Sequence, residues 1–509
     1  MIVNSRRCRV GLLSVCAFLP LAAAEPKGPA PAESLPELQR RIAEHLAQPR
    51  FEAALWGVKI VSLDSGATVF ESNPSKRLKP ASNAKLFTAA LALDRLGPAF
   101  RIKTSVYSHT GPDPSGVVRG DLTVFGRGDC TLAARFNDGD HARSLEPLVS
   151  ALLAAGVRRV EGDLVGDESY FRGPPLGSSW AWDDLQNYYG AEVSALTQED
   201  NVVDLVFKSG PRVGAPCEIA AGPPTTFLTF VNRSRTVSKS GPRQITLYRP
   251  AGANTVYISG TLPVATNWTD AVSVHDPALW FVTRLKELLE KRGVQVTGRP
   301  RAVNWLDRET DPLDLTKLVE LTSIESRPLS DILPKMLKPS QNLYAQLLLL
   351  QVGRQKSENK TQTTEEAGIA ELNRFAREPG IRQGDLLFDE GSGLSRSALV
   401  TPNAIVQLLA FMDRHRAGRI YRESLPVAGV DGSLRHRMKG TAAEKNVQAK
   451  TGTIGYVQTL SGYLTTAAGE RFAFSLLLNA CDDPGHGAKD DLDPIPVLLA
   501  EFKGRTQKP

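Results

Sequence analysis

The chain contains little cysteine for its length. Its 509 residues include five cysteines, and two of them, Cys8 and Cys16, lie in an N-terminal segment that we interpret below as a removable leader. Cys130, Cys217 and Cys481 remain, and three thiols form at most one disulfide. This excludes the class of small secreted proteins held together by a disulfide scaffold. The sequence leaves open whether two of the three thiols pair.

Metal-binding patterns are also missing. Neither Cys-x-x-Cys nor His-Glu-x-x-His spacing occurs, and the seven histidines are scattered along the chain. The densest group of potential ligands consists of Cys481, Asp482, Asp483, His486, Asp490, Asp491 and Asp493. The proline and glycine within this group favour a solvated loop. We therefore predict that the protein uses no metal and no other cofactor.

No stretch of the sequence is apolar over the roughly 20 residues that a membrane-spanning helix needs. The apolar run from Val10 to Leu21 is shorter, follows the arginine-rich residues 6–9 and precedes three alanines that end at Ala24. This order is typical of a secretory signal peptide. We predict that residues 1–24 are a signal peptide removed near Ala24. The mature protein is then periplasmic, with peripheral membrane association at most.

Charge of one sign does not dominate. The 61 basic and 55 acidic residues leave a formal net charge of +6, and the two signs are interspersed along the chain. Nucleic-acid-binding proteins instead concentrate basic residues in patches or stripes. We therefore expect no nucleic acid among the partners of this protein.

The length and the order of predicted elements indicate a split domain. A chain of 509 residues exceeds one simple core, so two or three domains are expected. Strand patterns lie near both ends, with helical patterns between them, which predicts one α/β domain built from residues 25–98 and 276–509. Residues 99–275 are mostly strand-like pieces separated by Gly, Pro and Ser. We predict that they form a mostly β insertion of two subdomains.

Ser82 and Lys85 begin a run of small and apolar residues with good helix propensity, directly after Pro80. A helix that starts at Ser82 places its hydroxyl and the Lys85 amine on one face, one turn apart. The free N–H groups of the first turn then lie beside the hydroxyl. This arrangement is typical of a serine nucleophile with a lysine base. The same spacing at Ser357 and Lys360 lies in a polar run, which we interpret as a surface loop.

Two further motifs follow in order. Ser340-Gln341-Asn342 is predicted to start a helix that runs from Ser340 to Leu350, and Lys450-Thr451-Gly452-Thr453 lies on a predicted strand. Each motif is common by chance. The ordered triple of Ser-x-x-Lys, Ser-x-Asn and Lys-Thr-Gly occurs in penicillin-binding proteins and class A β-lactamases, so the combination is far more specific than its parts.

Longer stretches extend this resemblance to one family. They are residues 338–345, 391–396, 425–434 and 448–453, together with residues 180–184 and 188–191 of the insertion. In these stretches the chain resembles the class C low-molecular-mass penicillin-binding proteins, the D-alanyl-D-alanine carboxypeptidase/endopeptidase family (serine peptidase family S13). The resemblance implies a penicillin-binding-protein/β-lactamase-like transpeptidase domain, an antiparallel sheet flanked by helices, with the insertion between the first two motifs.

The resemblance also implies catalytic roles. Ser82 is the nucleophile that attacks the penultimate carbonyl of a peptidoglycan stem peptide ending in D-Ala-D-Ala. Lys85 accepts the proton if its amine is neutral, in a desolvated site beside a second cation. Ser340 relays the proton to the leaving amine. Asn342 holds Lys85 and the substrate amide.

The third motif is expected to bind the substrate. Lys450, Thr451, Gly452 and Thr453 form an edge strand whose lysine and threonine hydroxyls bind a substrate carboxylate or the carboxylate of a β-lactam, which would act as a covalent inhibitor. The backbone N–H groups of Ser82 and Thr453 form the oxyanion hole.

The sequence departs from the family pattern at several places. Glu390 stands where Asp is usual before Gly-Ser-Gly, Cys130 replaces an expected Pro, and Glu192 stands where Pro is common. Gln341 is a tolerated middle residue of the second motif. None of these departures removes a group with a catalytic role, so we expect them to change local loop shape.

The leading hypothesis is a serine DD-carboxypeptidase that is acylated by penicillin and can also cleave cross-links as an endopeptidase. A β-lactamase is the alternative enzyme, but it needs a positioned base for rapid deacylation, and the large insertion points away from it. A non-catalytic envelope protein that binds muropeptides is the third reading. The presence of all three intact motifs argues against that reading.

Overall fold

The computed structural model describes residues 31–356, 361–481 and 491–506. The predicted signal peptide, the second Ser-x-x-Lys match at Ser357 and residues 482–490 of the acidic group lie outside this range. Within the described residues, no group of three or more His, Cys, Asp or Glu side chains is placed to hold a metal ion. No helix in the same residues is both long enough and apolar enough to cross a membrane.

The helices are α1 (Leu35–Leu46), α2 (Ala84–Arg95), α3 (Glu146–Ala154), α4 (Pro277–Lys291), α5 (Trp305–Thr310), α6 (Leu329–Leu337), α7 (Asn342–Lys356), α8 (Thr364–Phe375), α9 (Pro402–Arg414), α10 (Gly418–Glu423) and α11 (Pro494–Glu501).

The strands are β1 (Leu55–Ser62), β2 (Thr68–Ser72), β3 (Lys103–Ser108), β4 (Val117–Arg119), β5 (Leu122–Phe125), β6 (Arg159–Glu161), β7 (Leu164–Asp167), β8 (Val202–Lys208), β9 (Glu218–Gly222), β10 (Thr229–Asn232), β11 (Arg235–Val237), β12 (Gln244–Tyr248), β13 (Thr255–Pro263), β14 (Asn267–Ser273), β15 (Gln295–Val296), β16 (Pro300–Val303), β17 (Val319–Glu325), β18 (Leu386–Leu387), β19 (Leu399–Val400), β20 (Gln448–Ile454), β21 (Val457–Thr465) and β22 (Arg471–Asn479).

The central sheet joins the two ends of the chain. Its strand order is β2-β1-β22-β21-β20, and every neighbouring pair is antiparallel. Successive side chains of a strand point to opposite faces. Phe472 and Phe474 of β22 accordingly pack with α1 and α11 on one face, while Ala473 and Leu477 pack with α2, α7 and α9 on the other. The result is an antiparallel sheet flanked by helices.

The inserted region holds two hydrophobic clusters of its own. The first cluster surrounds the sheets β16-β7-β5-β3-β17 and β15-β6-β4, with α3 and α4 packed against them. The second cluster lies among β8 to β14, in the sheets β14-β8-β9 and β10-β13-β11. We propose that these two clusters are the cores of two subdomains of the insertion.

The far boundary of the insertion differs from the one at residue 276 that the sequence indicates. Helix α4 packs in the first cluster of the insertion, β15 and β16 pair with β6 and β7, and β17 pairs with β3. Residues 277–325 therefore share sheets and core with the insertion. We propose a boundary near residue 326, where the chain enters α6 and returns to the core around α2.

Two of the three remaining thiols are free and buried. Cys130 lies in the hydrophobic cluster around α2 and α7, and Cys217 lies in the second cluster of the insertion. These two residues therefore do not form a disulfide with each other.

Candidate active site

Ser82 lies at the end of α2 that faces the central sheet. The sequence predicts a helix that starts at Ser82, but α2 begins at Ala84, and residues Ala81–Asn83 form a 3-10 turn that leads into it. Ala81 has a left-handed φ of 45°. The amide of Asn83 donates to the carbonyl of Lys450 at 3.0 Å, and this bond ties the turn to β20. The sheet therefore fixes the position of the serine.

The amine of Lys85 is buried directly below Ser82. Its side chain has no exposed surface. Lys85 Nζ donates to Ser82 Oγ at 2.9 Å, to Asn342 Oδ1 at 2.5 Å and to the carbonyl of Ser392 at 2.7 Å. Burial lowers the pKa of Lys85 from its usual 10.5 to about 7, and the charge of Glu390 opposes this change. A large fraction of Lys85 can therefore be neutral at neutral pH.

Ser340 and Asn342 lie where the chain enters α7. The prediction that the helix begins at Ser340 is wrong, because Ser340 has a left-handed φ of 66° and α7 begins at Asn342. This kink aims the hydroxyl of Ser340 at Lys450, whose Nζ donates to it at 2.9 Å. Asn342 accepts from Lys85, and its Nδ2 donates to the carbonyl of Tyr189 at 2.8 Å. The second motif thus contacts both lysines.

Lys450 occupies a buried position on β20. Its side chain has no exposed surface, and Nζ donates to Ser340 Oγ and to the carbonyl of Thr451. Burial and repulsion from the Lys85 amine lower the pKa of Lys450 well below its usual value. The repulsion between the two amines is mutual, so a charge on Lys450 also disfavours a charge on Lys85. The nearby Glu390 carboxylate acts in the opposite direction and favours the charged form of Lys85.

The three residues after Lys450 form one wall of the site. Gly452 lies so close to the serine turn that an added Cβ would be 2.9 Å from the backbone N of Ser82. Thr451 exchanges a 2.6 Å hydrogen bond with the hydroxyl of Ser433. Thr453 is exposed beyond Gly452. The strand therefore presents two hydroxyls along an edge that leads to Ser82.

These residues line a cavity of about 430 Å³ that also includes side chains not singled out by sequence reasoning. Asp184 and Tyr189 come from the insertion, and Arg396 comes from the loop before β19. Arg396 Nη2 lies 3.2 Å from Asp184 Oδ2. The stretches 180–184, 188–191 and 391–396, which carry the resemblance, contain all three residues. The insertion therefore contributes a wall of the site as well as its own cores.

The site pairs a serine hydroxyl with a buried lysine of lowered pKa, and a second lysine faces this pair from a sheet edge. Such a site is equipped for acyl transfer through a covalent intermediate. Together with the sheet and its helices, this defines the class of penicillin-binding-protein-like serine hydrolases. Comparison with known proteins then places the chain within that class.

Residues 38–501 match the model of the D-Ala-D-Ala carboxypeptidase 3 (S13) family, and the chain belongs to this family. A D-alanyl-D-alanine carboxypeptidase from an Actinomadura species is 34% identical over 485 residues, which cover 92% of this chain and 86% of the relative. The D-alanyl-D-alanine carboxypeptidase DacB of Haemophilus influenzae is 26% identical and covers 88% of this chain and 90% of its own length.

The fold matches a solved structure as well. The crystal structure of penicillin-binding protein 4 from Haemophilus influenzae superposes with a TM-score of 0.73 at 24% identity, covering 92% of this chain and 98% of the other. The predicted family, fold class and enzyme class, a serine-type D-Ala-D-Ala carboxypeptidase, are confirmed by these matches. The roles of the individual site residues remain proposals.

Replacing Gly452 with alanine is expected to lower hydrolysis of a D-Ala-D-Ala-terminated peptide about a hundredfold, because small displacements of reacting groups cost about that much. The new Cβ would lie 2.2 Å from Thr459 Oγ1 and 2.9 Å from the Ser82 N, so the strand must move away from the serine. Steady-state kinetics measure the effect. Gly455→Ala is the matched control, since nothing lies within 4 Å of a Cβ there. Equal losses in both variants would contradict the close-approach argument.

Proposed function

We propose that the chain hydrolyses the terminal D-Ala-D-Ala bond of peptidoglycan stem peptides through an acyl-enzyme on Ser82, and that β-lactams acylate the same serine. The observation that carries this proposal is the 2.9 Å hydrogen bond between Ser82 Oγ and the buried Lys85 amine. Family membership supports the substrate class. The contacts of Asn342, Ser340 and Lys450 with this pair support their roles as partners.

Acylation begins with a proton transfer. Neutral Lys85 accepts the proton of Ser82 Oγ as the oxygen attacks the carbonyl carbon of the penultimate residue. The developing oxyanion is bound by the backbone N–H groups of Ser82 and Thr453, which lie on the two sides of the cavity formed by the serine turn and β20. Asn342 orients the Lys85 amine by accepting one of its hydrogen bonds.

Substrate binding changes the charge balance of the two lysines. A substrate carboxylate beside Lys450 and the hydroxyls of Thr451 and Thr453 favours the charged form of the Lys450 amine. Since that amine and the Lys85 amine repel each other, a charged Lys450 then favours neutral Lys85. The substrate thus promotes the form of Lys85 that can act as a base.

The leaving D-alanine takes up a proton as its C–N bond breaks. Ser340 is placed to deliver it, because its hydroxyl accepts from Lys450 Nζ and lies in the same cavity as Ser82. As this hydroxyl gives its proton to the leaving nitrogen it takes one from Lys450, and the proton that Lys85 gained from Ser82 replaces the one that Lys450 loses, so Lys85 is neutral again. Water then attacks the ester of Ser82: Lys85 takes a proton from the water, the ester C–O bond breaks, and the proton passes to Ser82 Oγ as the shortened peptide leaves. The enzyme returns to its starting protonation state.

We further propose that the protein acts in the periplasm after removal of residues 1–24, and that it also cleaves cross-links. The basic segment, apolar run and alanine site described above support export. The same chemistry applies to a cross-link, because its acyl donor is also a D-alanine carbonyl. The wall contributed by the insertion would contact the larger substrate.

Digestion of purified peptidoglycan tests the proposal. We expect release of terminal D-alanine, and a loss of cross-linked dimers if the endopeptidase activity is present, each measured by chromatography of the muropeptides. A stable adduct with a fluorescent penicillin distinguishes this enzyme from a β-lactamase, which would turn the reagent over rapidly. If penicillin labels the protein but the protein neither releases D-alanine nor removes cross-linked dimers, the proposed substrate is wrong.

A further inference from the structure

Glu390 is a buried carboxylate near the start of the loop between β18 and β19. It has no exposed surface. One of its oxygens accepts from the backbone N of Ser392 at 2.6 Å, and the other accepts from the backbone N of Gly393 at 2.5 Å and of Ser395 at 3.4 Å. A buried charge is costly unless it is well bonded, and these three N–H groups satisfy the carboxylate. The side chain therefore holds the loop in one shape.

That loop binds the catalytic base. The carbonyl of Ser392, in the segment that Glu390 holds, accepts from Lys85 Nζ at 2.7 Å. The preceding residue is anchored as well, since Gly391 N donates to Gln346 Oε1 at 2.8 Å and its carbonyl accepts from the Thr88 hydroxyl at 2.6 Å. A displaced loop would remove one of the three acceptors that orient the Lys85 amine.

Glu390 also supplies charge. Two charged groups act on the site of Lys85 from neighbouring elements among the described residues: Lys450 on β20 and Glu390 on the loop. Glu365 on α8 in turn faces Glu390, and burial raises the pKa of Glu365 to about 7. Helix α7 contributes the neutral Asn342, and the turn before α2 contributes the hydroxyl of Ser82. Glu390 favours the charged form of Lys85, against burial, and thereby keeps the pKa of the base near neutral. A base with a pKa near the working pH is the most effective one.

We propose that Glu390 is a positioning residue for acylation, which holds the loop that binds the Lys85 amine and supplies a negative charge beside that amine. This rests on the proposed function of Ser82 and Lys85. Glu390 acts through the loop and through Lys85, without contact to substrate. The family resemblance leads one to expect Asp at this position. The longer side chain of Glu reaches three backbone N–H groups.

The pH dependence of acylation by a fluorescent penicillin tests this proposal. In Glu390→Gln, which keeps the size but removes the charge, the pKa of Lys85 falls. The acid limb of the rate profile is then expected to shift to lower pH by about one unit or more, and the maximal rate to fall because the base is weaker. Glu390→Asp keeps the charge, so its acid limb is expected to stay at the native position while the rate falls by less than in Glu390→Gln.

The controls separate charge from loop shape. Asp389→Asn removes the neighbouring carboxylate, which accepts from the Ser395 hydroxyl at 3.0 Å, and is expected to leave the acid limb in place. If Glu390→Gln lowers the rate but leaves the acid limb of the pH–rate profile at the native position, the role of Glu390 is purely structural and the proposal is overturned. A limb shift of equal size in Glu390→Asp would also overturn it. If Glu390→Gln does not fold, Glu390→Asp still tests the proposal, since an acid limb at the native position with a reduced rate supports it and any shift of the limb overturns it. Absence of labelling in the native protein at every pH would instead refute the proposed function.

Discussion

Replacing Ser82 with alanine is expected to abolish covalent labelling by a fluorescent penicillin and to lower peptide hydrolysis by about a millionfold, the loss that removal of the nucleophile causes in another serine hydrolase. The reason is chemical, since Lys85, Asn342 and Lys450 can still bind substrate but no oxygen remains to form the acyl-enzyme. Gel fluorescence after labelling and mass spectrometry of the intact chain measure the adduct.

The second Ser-x-x-Lys match supplies the control for this variant. Ser357→Ala is expected to leave labelling unchanged, because the polar sequence around Ser357 lacks the apolar helix that holds Ser82. Labelling that survives in Ser82→Ala and disappears in Ser357→Ala would reverse the assignment of the nucleophile. Labelling that survives in both variants would show that another residue is acylated.

Lys85→Met is expected to lower the acylation rate about a hundredfold to ten-thousandfold, the range typical of a lost general base. Methionine has a similar length and fills the buried space, but it cannot accept the proton of Ser82. In the native protein the amine is neutral above its pKa of about 7 and charged below it. The native rate should therefore fall roughly tenfold per pH unit on the acidic side, and this dependence on Lys85 should vanish in the variant.

Lys85→Arg distinguishes basicity from hydrogen bonding. The guanidinium can donate to Asn342 and to the Ser392 carbonyl but stays charged at every accessible pH, so this variant is expected to be as slow as Lys85→Met. Stopped-flow measurements of acylation between pH 5 and 9 compare the variants, a range of about two units on each side of the pKa. An arginine variant with near-native rates would contradict the role of Lys85 as the base.

The chemistry of the site could be predicted from short stretches because each motif carries a local signal. A proline before a small, apolar run marks the start of the serine helix, and a strand pattern followed by a hairpin marks β20. The contacts between motifs could not be derived in this way. Lys85 and Asn342 lie 257 residues apart in sequence, and it was the resemblance to a family that joined them.

The wrong helix starts have one physical cause. Ala81 and Ser340 both adopt left-handed backbone conformations, with φ values of 45° and 66°. Such a conformation costs energy for residues other than glycine and is paid for by surrounding contacts. Neither residue is a glycine or an asparagine, so the local sequence contains no sign of it. The kinks arise from contacts with β20, which sequence reasoning about one segment does not see.

The boundary that we propose near residue 326 could not be derived from the sequence, for a different reason. The apolar stripe of α4 indicates that one face of the helix is buried, but the same stripe would suit either the central sheet or the sheets of the insertion. Strands β15 and β16 are only two and four residues long, too short for a clear alternation. Glu390 shows a similar limit, because the sequence revealed its departure from the family pattern but not its three bonds to the loop.

The central sheet has a consequence for synthesis and maturation. Strand β1 pairs with β22, so Leu55 meets Asn479 and Ser62 meets Phe472. Contacts across such sequence distances carry a large loop-closure cost and form late in folding. The two clusters of the insertion can form from segments that are closer together in sequence, whereas the central sheet cannot form before the C-terminal strands are present. A nascent chain that lacks β20 to β22 has Ser82 and Lys85 but neither Lys450 nor the strand that anchors the serine turn. The complete site is therefore expected only once β20 to β22 have been made.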